Sequence, residues 1–250
     1  MPKAKSKAII KSEFSILAPQ KRTSSKFSPE EIKENAGKRA PSISDLDKIK
    51  VPAGGAIMWE VLDVNGEEDN VKTFEAVIMA AQDVRVFYAT KYSGGNEPPD
   101  CLSLDMIHGL VGEDCPPDVT GECASCPKAE WGSATNDKGD PAGGKACSER
   151  KQMLLFRPDD QAPVVLSVPP TSLKEVENYI RRLPISRDEL YWSCVTKFAL
   201  KKEKSGSGIA YSQIVCDFVR GLNDEERETM RGIRSQYIPA LERQPEVAAE

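Results

Sequence analysis

Histidine is almost missing from this chain: among 250 residues there is one, His108. Ser-His-Asp or Cys-His catalysis would have to use that single imidazole as its base, which makes either an improbable design. Long apolar runs are missing as well. No stretch approaches the roughly 18 uninterrupted apolar residues of a membrane-spanning helix. Ile9-Ile10, after the basic start Lys3, Lys5 and Lys7, is too short for the apolar region of a secretory signal. The expectation is a cytoplasmic protein with no membrane partner. A strong charge of either sign is also lacking: 34 Lys and Arg against 39 Asp and Glu leave a formal net charge of -5. Any contact with phosphates must therefore rest on local basic patches rather than on the field of the whole molecule. There is no internal repeat.

Cysteine, by contrast, is present seven times. An odd count without an export signal argues against a disulfide framework and for thiols that bind metal. Cys123-Ala124-Ser125-Cys126-Pro127 has the spacing of a zinc knuckle, in which two intervening residues let both sulfurs face one ion. Cys101 and Cys147 stand about twenty residues to either side, and together the four satisfy a closed tetrahedral zinc site of structural type. Cys115 and His108 belong to the same stretch and could take the place of Cys101. An iron–sulfur cluster uses the same four-cysteine set. Cys194 and Cys216 lie on strand-like runs beside Phe198 and Phe218 and read as core residues.

The stretch from Ser93 to Cys147 is broken throughout by Gly and Pro, so it needs a staple other than a core of its own. Around it the pattern is mainly that of a β protein. Ala56 to Val64, ending at the turn pair Asn65-Gly66, Val71 to Ala81, and Asp83 to Tyr92 read as three strands of an antiparallel meander. Lys151 to Arg157 and Pro163 to Val168 read as a pair around Pro158-Asp159-Asp160. A helix follows with Ser172 as its N-cap and Glu175 completing a capping box, ended by Pro184. Tyr191 to Leu200 and Ile209 to Val219 form a hairpin joined by the flexible, lysine-rich segment 201–208. A last helix starts near Asn223, with Glu226 three residues on. The organisation read from this is a flexible basic arm over 1–50, a β-barrel over 51–222 with a zinc-binding insertion over 93–150, a C-terminal helix over 223–241, and a polar tail over 242–250. In the arm up to Arg39, Lys3, Lys5, Lys7, Lys11, Lys21, Arg22, Lys26, Lys33, Lys38 and Arg39 face only Glu13, Glu30, Glu31 and Glu34.

Single-stranded nucleic acid is held by aromatic platforms along a cationic groove. Candidate platforms are Phe87, Tyr88, Tyr92 and Trp131, and Phe87, on the strand face opposite Val84 and Val86, is expected to be exposed. Candidate cations are Arg85, Lys91, Lys145, Arg150, Lys151, Lys197, Lys201, Lys202 and Lys204. Trp192, which shares a strand face with Cys194 and Phe198, reads as core.

Five short motifs resemble those of a family of tailed-bacteriophage single-stranded-DNA-binding proteins. They are Phe87-Tyr88, the run from Pro99 to Asp105, Cys123-x-x-Cys126-Pro127, Gly132-Ser133, and Gly144-Lys145-Ala146-Cys147. The chain departs from the family pattern at Met106, where glycine is expected, and at the additional Cys115. The resemblance implies an oligonucleotide-binding (OB) barrel with a zinc-bound insertion, located in the host cytoplasm, that coats DNA during phage replication or recombination and works beside the proteins of those processes. It supports Cys101, Cys123, Cys126 and Cys147 as zinc ligands and places Phe87, Tyr88 and Trp131 near the DNA path. The competing reading, favoured by the acidic balance, is a zinc-stabilised phage regulator that binds host transcription or replication proteins. A Mg²⁺-dependent nuclease using Asp100, Asp105, Glu113 and Asp114 ranks below both, because acids in a Gly/Pro-rich loop are usually solvated.

Overall fold

The structure, a computed structural model, describes residues 46–62, 67–90, 99–136, 139–157, 163–206 and 208–242. Most of the expected arm, the turns at Asn65-Gly66 and Pro158-Asp159-Asp160, the tail beyond residue 242, and Lys91 and Tyr92 lie outside the described residues.

Among the described residues, ten strands and two helices follow in chain order. They are β1 (Lys48–Ile49), β2 (Trp59–Leu62), β3 (Glu68–Val71), β4 (Thr73–Phe87), β5 (Cys101–Ser103), β6 (Leu110–Val111), β7 (Ser148–Phe156), β8 (Val164–Val168), α1 (Pro170–Ser186), β9 (Cys194–Lys204), β10 (Ala210–Gly221) and α2 (Asp224–Glu242). The protein is mainly β, with a curled, half-barrel sheet. The strand order is β1-β8-β7-β4-β5-β6, and β4 also pairs β9, which pairs β10. All these pairings are antiparallel except β1 with β8. Strands β2 and β3 form a separate hairpin.

The second and third expected strands are one. β4 runs unbroken through Gln82-Asp83, because its partners change along its length instead of the chain turning back. It pairs β9 through Thr73–Ala76, β7 through Val77–Val86, and β5 through Arg85–Phe87. A bulge between Ile78 and Ala80 interrupts the β4–β7 register; an extra residue of this kind bends a strand and sharpens its twist, which lets one sheet curl.

The alternation of side chains along β7 and β8 divides the apolar residues between two faces. Met153, Leu155, Val164, Leu166 and Val168 point into the half-barrel with Trp59, Phe74, Ile78, Phe198 and Ile214. There Phe74 stacks on Phe198 at 5.0 Å between centroids and meets Trp59 edge-on at 5.2 Å. Leu154, Phe156 and Val165 point outward with Val77 and Met79, and α2 covers them with Met230, Ile233, Tyr237 and Leu241. The C-terminal helix is thus part of the body of the fold. Its start matches the sequence reading: Asn223 Oδ1 accepts from Glu226 N and Glu226 Oε2 accepts from Asn223 N, a reciprocal cap. Trp192 departs from its expected place beside Phe198. It joins this outer cluster, with the guanidinium groups of Arg231 and Arg234 at 5.3 and 4.9 Å from its ring.

Helix α1 begins three residues earlier than expected and passes Pro184 to end at Ser186. Pro169 is its N-cap and Pro170 opens it, a position where the missing N–H costs nothing. Ser172 is therefore inside the helix, fully buried, and its Oγ accepts from Ile214 N on β10. A serine bound to a strand amide cannot cap its own helix. Among the described residues no helix is long and apolar enough to cross a membrane.

The stacked core pair supplies a direct check on this packing. Phe198→Ala should destabilise the fold by about 3–5 kcal/mol. Urea unfolding should register this as a lower midpoint with an unchanged slope.

Candidate metal centre

The insertion leaves the barrel at Phe87, the last residue of β4, and returns at Ser148, the first of β7. Its core is small. Phe87, Cys101, Val119 and Cys147 are buried together, and Val111, Cys115, Ala129 and Ala146 pack against them.

Two backbone crossings shape it. Gly109 N donates to Gly121 O at 2.7 Å, and Cys123 N donates to Ile107 O at 2.9 Å, so residues 107–109 run beside 121–123. Both glycines are required by space. A Cβ on Gly109 would lie 2.6 Å from Cys101 Sγ, and one on Gly121 would lie 2.8 Å from Gly109 O. On the other side Cys147 N donates to Lys128 O at 2.8 Å and Gly132 N to Gly144 O at 2.6 Å. Ser133 Oγ ties this turn together: it reaches the carbonyls of Lys128 and Glu130 and accepts from Ala146 N at 2.9 Å. Trp131 sits at the corner of this turn with 81% of its surface exposed.

Cys101, Cys123, Cys126 and Cys147 are all buried and line one cavity of about 10 Å³, which Arg85, Phe87, Ser103, Val119, Gly121 and Ala129 complete. That is room for roughly one water-sized sphere. All seven cysteines are free thiols. Among the described residues, no three His, Cys, Asp or Glu side chains are grouped as they would be around a metal ion. The four cysteines nonetheless share the lining of one cavity. Burial, and then the neighbouring thiols with Cys115 foremost, push Cys101 up to about 12. Burial, and then Cys126 and Cys123, push Cys147 up to about 11. A cation is what would draw such sulfurs together, by replacing their protons.

The residues present fit a thiolate-bound ion on three counts. The donor set is four cysteines around one small cavity. The backbone at Gly109 makes room for the Cys101 sulfur and for nothing larger. Arg85 Nε, on the cavity wall, is a buried donor with no acceptor, and a thiolate is an acceptor. Cys115 is half-buried beside the cavity, with its Sγ 3.4 Å from Asp100 O, and does not line it. His108 is exposed and belongs to a different constellation. Asp105 Oδ1 accepts from Ile107 N at 2.8 Å and His108 N at 2.7 Å, and Asp105 Oδ2 pairs with His108 Nδ1 at 2.9 Å.

The expected nucleic-acid contacts divide. Phe87 is 5% exposed and faces the cysteine sulfurs, which corrects its expected exposure: the face it shares with Arg85 is the one the insertion folds against. Tyr88 is half-buried against Val84, Val86, Leu102 and Leu104. Lys145 pairs with Glu149 at 2.9 Å. Arg150, on the outward face of β7, has a buried Nε without an acceptor. Lys197 stands across from Glu75 on β4 and Asp217 on β10. Lys201, Lys202 and Lys204 are exposed on β9 and not in a loop, since β9 extends to Lys204. This end of the hairpin is anchored: Ser212 Oγ donates to Ala56 O at 2.7 Å, and Gly55 lies against the Lys202 stem. Cys194 is fully buried and Cys216 half-buried in the body of the fold.

The sequence reading takes Arg85 as a candidate nucleic-acid cation, whereas the structure sets it on the wall of the cysteine cavity; an arginine in an apolar strand gives no local sign of what it faces. Met106, which stands where the resembled family has glycine, adopts a φ of 66°. That is the left-handed region, where a side chain costs about 1–2 kcal/mol. No family model, curated protein or solved structure matches this chain.

Two measurements test this geometry. Met106→Gly should stabilise the fold by up to about 1 kcal/mol, after the flexibility of glycine in the unfolded chain is subtracted; thermal unfolding of the two proteins checks it. His108 titrates above its ordinary value because Asp105 accepts its proton and is negatively charged. The stabilisation from this pair is complete below the ordinary histidine value and fades as pH rises through the raised one. Asp105→Asn should bring His108 back to about 6.5, read by NMR from the one imidazole in the chain.

Proposed function

We propose that this chain is a non-enzymatic single-stranded-DNA-binding protein, built on an OB barrel and stapled by one structural zinc ion, that coats unpaired DNA in phage replication or recombination. The order of connections supports the barrel. β4, β7 and β8 follow one another as neighbours, α1 intervenes, and β9 returns to the free side of β4 with β10 beside it. An OB barrel has that Greek-key plan, with its binding surface on strands two and three and in the loops after strands one and four. Here those loops are the cysteine insertion after β4 and the β9–β10 hairpin.

Zinc is the ion the donor set suits. Cys101, Cys123, Cys126 and Cys147 would hold it, and with all four positions filled by protein it would contribute folding free energy and no catalysis. Its role would be to keep Trp131 in place. Among the described residues, the observation that carries the reading is this: an indole 81% exposed on a turn fixed by Ser133, in one rim loop, and exposed lysines on the β9 strand that leads to the other. A base can stack on a rigid exposed indole at little entropic cost, and lysines can follow the phosphates. Because α2 covers the outward residues Leu154, Phe156 and Val165, the path left for DNA on strands two and three is the end nearer the insertion, where Arg150 lies.

Titration of a fluorescent oligo-dT should give saturable binding that falls steeply with added salt, with little binding to duplex. A zinc chelator should abolish it. Trp131→Ala should weaken it by about 1–3 kcal/mol and leave the metal content at one per chain. Absence of binding at low salt by the zinc-loaded protein would refute the reading.

A further inference from the structure

Arg85 is the one charged side chain on the wall of the cysteine cavity. It projects from β4, where its backbone neighbours are Glu149 on β7 and Ser103 on β5. Its guanidinium has three kinds of N–H and uses them in three ways. NH1 donates to the carbonyl of Cys123 at 3.2 Å, NH2 donates to Glu149 Oε1 at 3.3 Å, and Nε is buried without an acceptor among the described residues. Leaving a buried donor unpaired is costly, so an arginine held in this place points to an acceptor that arrives with a ligand. The charged groups that face it are Glu149 and, through that carboxylate, Lys145, which binds the same Oε1 at 2.9 Å.

We propose that Arg85 is a positioning residue of the metal centre: it holds the first residue of the Cys123–Cys126 knuckle by its carbonyl and donates Nε–H to a cysteine thiolate. The inference rests on the zinc reading above. Four thiolates around a divalent cation leave surplus negative charge in a buried place, and such charge is stable there only when paired. Arg85 supplies the opposite charge from a strand of the barrel, so the contact that neutralises the centre also docks the insertion onto the sheet. Glu149 competes for the same guanidinium.

The test uses the full chain loaded with Zn²⁺, and separately with Co²⁺, in Arg85→Met, Arg85→Lys and Glu149→Gln forms. Arg85→Met should release zinc to a chelator about 10–100-fold more readily, as loss of a ligand-supporting contact does. Arg85→Lys should recover part of the loss, and Glu149→Gln should hold zinc at least as tightly as the unaltered chain. The sulfur-to-cobalt charge-transfer band should shift in Arg85→Met and stay in place in Glu149→Gln. If Arg85→Met fails to fold, the Arg85→Lys release rate and cobalt band decide. Zinc release from the arginine variants equal to that of the unaltered chain would overturn the proposal. So would equal loss in all three variants with an unmoved cobalt band, which would make the cluster a structural ion pair only. Failure of the unaltered chain to take up any metal would instead overturn the zinc reading itself, and this inference with it.

Discussion

One strand carries the architecture. β4 is fifteen residues long and has three partners in succession, β9, β7 and β5. Its first residues belong to the hairpin side of the half-barrel, its middle to the β7–β8 side, and its last to the insertion. Curling at the Ile78/Ala80 bulge lets one strand serve both sides of a single core. Because Arg85 and Phe87 lie on its far end, the strand that closes the core also supplies the surface on which the cysteine-rich insertion rests.

The insertion is held differently from the barrel. Its apolar residues are few, and its interior is made largely of thiols. Backbone crossings at Gly109 and Gly121 and the Ser133 hub fix its shape locally, since each satisfies polar groups that would otherwise be buried without partners. What they leave open is the centre, where Cys101 and Cys147, whose thiols burial pushes up, line a cavity of about 10 Å³ with Cys123 and Cys126. Thiols in such a place are inert as nucleophiles. The same burial is costly for thiolates unless a cation accompanies them, so metal, cysteine ionisation and docking through Arg85 form one linked equilibrium under the proposed reading.

Part of the outward face of β4, β7 and β8 is already used. Helix α2 lies on it, held by apolar contacts and by Arg234 Nε donating to Met79 O at 2.6 Å. The helix thereby confines any ligand on that face to the end beside the insertion. A net charge of -5 is no obstacle to such a site, because the field that matters to a strand of phosphates is that of the nearby lysines and arginines within about 10 Å.

Local patterns were readable from the sequence where the cause is local. The C-x-x-C spacing, the Asn223–Glu226 cap, the β7–β8 pair, the β9–β10 hairpin and the Gly/Pro-rich insertion all depend on residues a few positions apart. Where the cause is a distant partner, the sequence was silent or misleading. The pattern broke into two strands at Gln82, yet β4 continues because β7 is there to pair with it. Phe87 looked exposed by alternation, yet the insertion folds back over it. Ser172 looked like a cap, yet an amide on β10 takes its hydroxyl. Composition and spacing alone thus determined which residues are chemically able to share an ion and which segments alternate. Only the tertiary structure decided which faces are covered, that the four cysteines meet at one cavity, and that Arg85 stands beside them. Burial is a property of pairs far apart in the chain, and no periodicity within one segment encodes its partner.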